Sequence, residues 1–219
     1  MVFVFDFDGT LVDTMEAYTQ VASSLLEQYY EISSEEARKA YRLTSGKPFS
    51  MQLFEFFPRQ PSLNAKVNEE FVSQKYSILT ETLPFPDVPP VLTQLKQQGQ
   101  TIVISSNNEE PLLLAYLSRQ AIPYDYALGF TPTYRKGIAH FAKIRTILND
   151  LSPPIFIGDS LHDAHIAAQS AIPFIARIGT FSIQDFHMVD PKIVCISNLY
   201  PLLDGELIKK LSGSLRYES

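Results

Sequence analysis

The chain has 219 residues, 45% of them hydrophobic and 12% aromatic, enough for a sizeable core and too apolar for a disordered chain. At about 150 residues per domain, this is one large domain or one carrying a smaller insertion. Lys and Arg number 18 against 24 Asp and Glu, a net charge of −6, which excludes the basic surface of a nucleic-acid binder. No apolar run is long enough for a membrane-spanning helix. The opening MVFVF lacks a basic flank and meets Asp6 at once, so it reads as a strand rather than a signal peptide. A lone cysteine, Cys195, excludes an internal disulfide and a multi-cysteine zinc site. The expectation is an acidic, soluble, cytoplasmic protein, monomeric or weakly dimeric, with no membrane or nucleic-acid partner.

In chain order, VFVF before Asp6 is short and apolar on both faces, as a central parallel strand should be. Tyr18, Val21, Ala22, Leu25, Leu26 and Tyr29 then recur at helical spacing. Ser33 and Glu36 form a capping-box pattern for a second helix ending near Leu43, before Gly46, Lys47 and Pro48. Further helical stretches run to about Thr82. The segment LPFPDVPP is proline-dense and reads as a connection followed by a helix start. From there helices and strands alternate. Helices are expected over 91–98, 111–120, 138–151 and 161–170, and strands over 101–105, 126–128, 154–158, 174–176 and 193–196. Such alternation predicts an α/β fold, a Rossmann-like doubly wound parallel sheet, interrupted after its first strand by a helical block.

Ligands in such sheets sit beyond the carboxyl ends of the strands. Three apolar strands end there in polar clusters: Asp6-Phe7-Asp8-Gly9-Thr10, Ser105-Ser106-Asn107, and Gly158-Asp159-Ser160-Leu161-His162-Asp163. Asp6, Asp8 and Asp159 make a hard-oxygen set suited to Mg²⁺. Paired carboxylates also allow one to act as nucleophile and the other as proton carrier. Ser105 and nearby backbone N–H groups suit a phosphoryl oxygen, and a lysine would neutralise further charge. An isolated Asp-x-Asp is most often a turn, and an isolated GDSxxD a helix cap. Both patterns after apolar strands, in this order, outweigh those readings.

With these motifs the chain resembles the haloacid dehalogenase superfamily, specifically phosphoglycolate-phosphatase-like hydrolases with a helical cap inserted after the first strand. VFDFDGTLVDT resembles the first motif of that family, IVISS the second and IFIGDSLHDAHIA the fourth. The resemblance implies a core of residues 1–12 and 86–219 and a cap of residues 13–85. It implies Asp6 as nucleophile, Asp8 as acid and then base, and Ser105 as a phosphoryl contact. Mg²⁺ would be held by Asp6, Asp8 through its carbonyl, and Asp159, while Asp163 orients metal waters or the lysine.

The usual KPxP string of the third motif is missing; the region reads TPTYRKGIAHFAK. Lys136 leads as the lysine, with Lys143 and Arg135 as alternatives. Ser106, Asn107, Gly46 and Lys47 are candidates for phosphate or substrate contact, and Arg42 for a substrate anion. Against these stand plainer readings: a helix-cap role for Asn107 and for Asp13, a solvated loop around Gly46, ordinary histidines at His162 and His165, and a core position for Cys195. The expected function is Mg²⁺-dependent hydrolysis of a small phosphorylated metabolite. Alternatives are a sugar phosphomutase of β-phosphoglucomutase type, a phospho-receiver and a degenerate binding module. Thr10 after Gly9 favours the phosphatase over the mutase, where the family commonly carries Val.

Overall fold

A computed structural model describes residues 1–131, 134–148 and 154–206. The chain divides into two compact units, Met1–Val12 with Pro84–Ser219, and Asp13–Leu83.

The first unit is built on a six-stranded sheet: β1 Val2–Phe5, β2 Thr101–Glu109, β3 Tyr126–Phe130, β4 Pro154–Gly158, β5 Phe174–Arg177 and β6 Val194–Ile196. Its order is β3-β2-β1-β4-β5-β6, and every pairing is parallel. All four residues of β1 are buried, as its unbroken apolar sequence requires of a strand covered on both faces. Val2 and Val4 pack into one cluster with Val103, Phe156, Phe174 and Phe186. Phe3 and Phe5 alternate to the opposite face. Between the strands run α5 Val88–Gln97, α6 Glu110–Arg119, α7 Ile138–Ile147, α8 Leu161–Gln169 and α9 Ile183–Val189, with a 3₁₀ turn at Tyr200–Leu203.

The order reverses at β1: the chain moves outward through β2 and β3, then returns to place β4 on the other side of β1. That reversal opens a crevice at the carboxyl ends of β1, β2 and β4, where an open α/β sheet takes its ligand.

The second unit is helical: α1 Met15–Tyr30, α2 Ser34–Leu43, α3 Phe49–Phe56 and α4 Pro61–Glu81. Its own core joins Tyr18, Leu25, Leu26, Leu53, Val67 and Phe71. The Ser33–Glu36 capping box forms, with Ser33 Oγ accepting from the Glu36 N–H. The chain leaves and rejoins the first unit at adjacent points, since Val12 and Pro84 form an antiparallel bridge and the Phe85 N–H donates to the Leu11 carbonyl at 3.0 Å.

Several expectations need adjustment. Helix α5 begins at Val88, three residues early, because Pro89 and Pro90 fit a first helical turn, where no N–H is needed. Strand β2 runs on through Glu109, with an irregularity between Ser105 and Glu109 in its pairing to β3. Helix α9 was not anticipated; Ser182 and Asp185 cap it reciprocally. Thr14, not Asp13, is the N-cap residue of α1, and Asp13 is exposed. Cys195 is half-buried against the core rather than within it. The end expected for α7 at 151 and the tail from Gly213 lie outside the described residues. Among the described residues, no helix is long and apolar enough to cross a membrane.

Candidate active site

Asp6 is the first residue beyond β1. Its N–H donates to the Ile157 carbonyl at 2.8 Å, which continues the β1–β4 ladder and fixes its backbone. The chain then turns tightly. Thr10, Leu11 and Val12 all donate to the Phe7 carbonyl, and Gly9 adopts φ 76°. Asp8 stands in this turn, and its Oδ2 accepts from Asn108 Nδ2 at 2.9 Å.

Lys136 Nζ donates to Asp6 Oδ1 at 2.8 Å and lies 2.8 Å from Asp163 Oδ1. All three side chains are buried. The lysine is held from its own backbone, whose N–H donates to Asn107 Oδ1 at 3.2 Å. Gly137 follows at φ 121°, where a side chain would be strained, and this lets the chain swing from Lys136 into α7. Lys143, the alternative lysine, is exposed, with its Nζ 5.4 Å from the centre of the Tyr134 ring.

Asp159 and Asp163 arrive from β4 and α8. Ser160 and Asp163 form a buried capping box, the Ser160 hydroxyl donating to Asp163 Oδ2 at 2.6 Å. Gly158 makes room: a Cβ there would sit 2.8 Å from Asp163 Cβ and Oδ2. Thr180 Oγ1 donates to Asp159 Oδ2. One carboxylate oxygen from each of Asp6, Asp159 and Asp163 lies within 4.8 Å of the others.

Three buried carboxylates thus face one ammonium, and the imbalance shows in their protonation. Burial, opposed by Lys136 but reinforced by Asp163 and Asp8, pushes Asp6 up to about 7. Burial, with Asp6 and Asp163 nearby, raises Asp159 well above the ordinary carboxylate range. Burial works against the charge of Lys136, yet Asp163 and Asp6 hold its pKa above the ordinary lysine value. Excess buried negative charge among hard oxygen donors is the setting that a small divalent cation fits. Asp6 and Asp159 could hold such an ion, and the Asp8 carboxylate is not part of the cluster.

Ser105 is fully buried in β2, one residue past the partner of Phe5, and therefore next in register to Asp6. Its Oγ lies 2.8 Å from His140 Nδ1. Ser106 Oγ accepts from the Asn108 N–H at 3.0 Å. Gly46 and Lys47 belong to the other unit: Gly46 takes φ 89° in the turn after α2, and Lys47 pairs with Glu55 at 2.8 Å. His162 is half-buried, and His165, exposed, lies with Nδ1 2.5 Å from the Leu161 carbonyl. Asn108 and His140 were not anticipated. The neighbouring Asn107 carried the only sequence signal for the first, and no motif marks the second.

The family model described as haloacid dehalogenase-like hydrolase matches residues 3–177. The chain belongs to that family. Among curated members, a phosphoglycolate phosphatase from Agrobacterium fabrum is 27% identical over 94% of both chains. Another, from Caulobacter vibrioides, is 26% identical over 77% of this chain and 75% of its own. Among solved structures, a Bacteroides fragilis chain assigned to the haloacid dehalogenase-like hydrolases superposes with a TM-score of 0.74 at 27% identity, covering 92% of this chain and 98% of that one. A Streptococcus pneumoniae member of the family has a TM-score of 0.71 at 21% identity, over 95% and 97% of the two chains. This haloacid dehalogenase-like chain is therefore a hydrolase of the phosphoglycolate-phosphatase-like kind, on an α/β sheet of the expected class.

Proposed function

We propose that the protein hydrolyses a small phosphomonoester in a Mg²⁺-dependent reaction through a phosphorylated Asp6. The observation that carries this reading is the buried Asp6–Lys136–Asp163 arrangement, with Asp159 beside it, at the reversal point of the sheet. A carboxylate paired with a lysine there is oriented and shielded from competing water, as a nucleophile toward phosphorus must be, and a bound cation would favour its ionised form.

A carboxylate oxygen of Asp6 attacks phosphorus, the bond from phosphorus to the leaving oxygen breaks, and Asp8 gives that oxygen its proton. Asp8 then takes a proton from the water that attacks the acyl phosphate, releasing inorganic phosphate and restoring Asp6. The Asn108 amide holds the Asp8 carboxylate meanwhile. Lys136 offsets charge on the phosphoryl oxygens, and Ser105 donates a hydrogen bond to one of them. Asp163 keeps Lys136 in place. Asp6, Asp159 and the Asp8 carbonyl would hold Mg²⁺, which when bound supplies positive charge to the phosphoryl group.

Phosphoglycolate is the first substrate to try, since the curated relatives are named for it. The Asp13–Leu83 unit is assigned the part of a cap that selects the substrate, with Gly46 and Lys47 as its candidate contacts. The test is phosphate release from a panel of small phosphomonoesters, with Mg²⁺ or with EDTA. We expect release that needs Mg²⁺ and falls to background in Asp6→Asn. Comparable release by Asp6→Asn overturns the nucleophile, and a rearranged product without phosphate release selects the mutase. Independently of turnover, Mg²⁺ should raise the thermal unfolding midpoint of the wild type more than that of Asp159→Asn.

A further inference from the structure

The geometry points to His140 as a positioning residue for Ser105: its Nδ1–H donates to Ser105 Oγ and leaves the single hydroxyl proton of Ser105 free for a phosphoryl oxygen. This rests on the assignment of Ser105 made above and goes beyond it, because nothing in the motifs concerns His140.

A serine hydroxyl has one proton to give, and phosphoryl oxygens of an ionised monoester can only accept. The hydroxyl therefore serves the substrate only if its other neighbour does not take that proton. The other neighbour is the fully buried His140, whose Nδ1 lies 2.8 Å from Ser105 Oγ. In one neutral tautomer Nδ1 is an acceptor and claims the serine proton. In the other Nδ1–H is a donor, and the serine oxygen accepts while its proton points elsewhere.

The surroundings of the ring select the second form. His140 Nε2 makes no hydrogen bond among the described residues, so a hydrogen placed there would be a buried donor without an acceptor, whereas on Nδ1 it meets Ser105 Oγ. The ring stays neutral near pH 7, since burial and the charge of Lys136 push it down to about 4, so only one of its nitrogens carries hydrogen. Its plane is fixed by the Tyr134 ring, 4.5 Å away between centroids and inclined by 33°. Tyr134 is itself tied down by donating from its hydroxyl to the Ala139 carbonyl at 3.2 Å.

The experiment is a double-mutant cycle on Mg²⁺-dependent hydrolysis of p-nitrophenyl phosphate, with thermal unfolding recorded for each protein. Ser105→Ala and His140→Leu should each lower kcat/KM by about 10- to 100-fold, the range for one hydrogen bond to a charged group. The double variant should be no worse than Ser105→Ala alone, because His140 acts only through that hydroxyl. His140→Asn, whose amide nitrogen reaches the place of Nδ1, should recover most of the loss, and His140→Gln should not. A purely structural role would move the unfolding midpoint without this pattern. Multiplicative losses in the double variant, or an unimpaired His140→Leu beside an impaired Ser105→Ala, overturn the proposal. If His140→Leu does not fold, the Asn and Gln variants decide, and equal activity in the two overturns it. A fully active Ser105→Ala removes the role of Ser105 itself, while the Asp6→Asn result still reports separately on the hydrolysis.

Discussion

Lys136 donates to Asp6 and lies in contact with Asp163, so its removal strands two buried carboxylates at once. Lys136→Ala should therefore cost about 3–5 kcal/mol of unfolding free energy, read from urea titrations, and reduce kcat/KM at least about 100-fold. Lys143 is exposed over Tyr134, and Lys143→Ala should stay within about twofold of wild type. The opposite pattern would reassign the lysine. His140 adds a pH dependence. Its folded value of about 4 lies below the ordinary 6.5, so between these values the unfolded chain binds more protons. Its contribution is complete above about pH 6.5 and declines by up to about 3 kcal/mol as pH falls toward 4. The raised Asp6 and Asp159 titrate in the same window with the opposite sign, so the histidine is read as a difference: urea titrations should show His140→Asn gaining stability relative to wild type as pH falls from 6.5 toward 4. Asp6, Asp8, Ser105 and Asp159 stood out because each sits on or just after an apolar strand, and Asp163 because the GDSxxD pattern sets it in the first turn of the helix that follows. Asn108 and His140 did not, since their partners lie 100 and 35 residues away in sequence.

At the scale of elements, the site depends on how β4 meets α8. The capping box of Ser160 and Asp163 draws Asp163 back over the end of the strand, and only a glycine at 158 leaves room for it. Gly158→Ala should cost about 1–3 kcal/mol through overpacking, and should lower activity as Asp163 moves off Lys136. Full activity with unchanged stability would show that Asp163 has another place to go. Periodicity and proline content made most elements legible, including the six strands along the chain, though not their order in the sheet. Boundaries fared worse where a tertiary contact set them. Strand β2 continues past Ser105 because β3 pairs with it again at Glu109, and α9 has only seven residues in which to display a pattern.

Across the whole molecule, a buried ion pair ties distant segments of the first unit together. Arg177 at the end of β5 makes two hydrogen bonds to Asp87, at 2.8 and 2.9 Å, and donates to the Thr10 carbonyl at 3.2 Å. The Leu199 N–H also donates to Asp87 at 2.6 Å, and the guanidinium lies 4.0 Å from the centre of the Phe85 ring. Asp87→Ala should cost about 3–5 kcal/mol by leaving the arginine buried and unpaired, whereas the double replacement Asp87→Leu with Arg177→Met should cost less. Equal losses would mean that packing, not pairing, matters there. Burial alone would raise the Asp87 carboxyl, but its bonds to Arg177 and to the Leu199 N–H more than reverse this and hold it below the ordinary 3.8. The stabilisation is present above that value and is lost as pH falls through the lower folded one, a window more acid than that of His140.

The sequence by itself determined the class of sheet, the interruption after β1, and the acids delivered to its carboxyl edge. These follow from local rules, since strand periodicity and the residue after a strand are properties of neighbouring positions. Only the tertiary structure decided which lysine reaches Asp6, that Asn108 takes Asp8 and His140 takes Ser105, and that Asp87 with Arg177 closes the core. Those pairings depend on how separate elements pack, and side chains separated by 100 residues leave no periodic trace of one another. The net charge of −6 shows the same division. Composition gave only an acidic balance, whereas the concentration of three carboxylates around one buried ammonium exists only once the strands are paired.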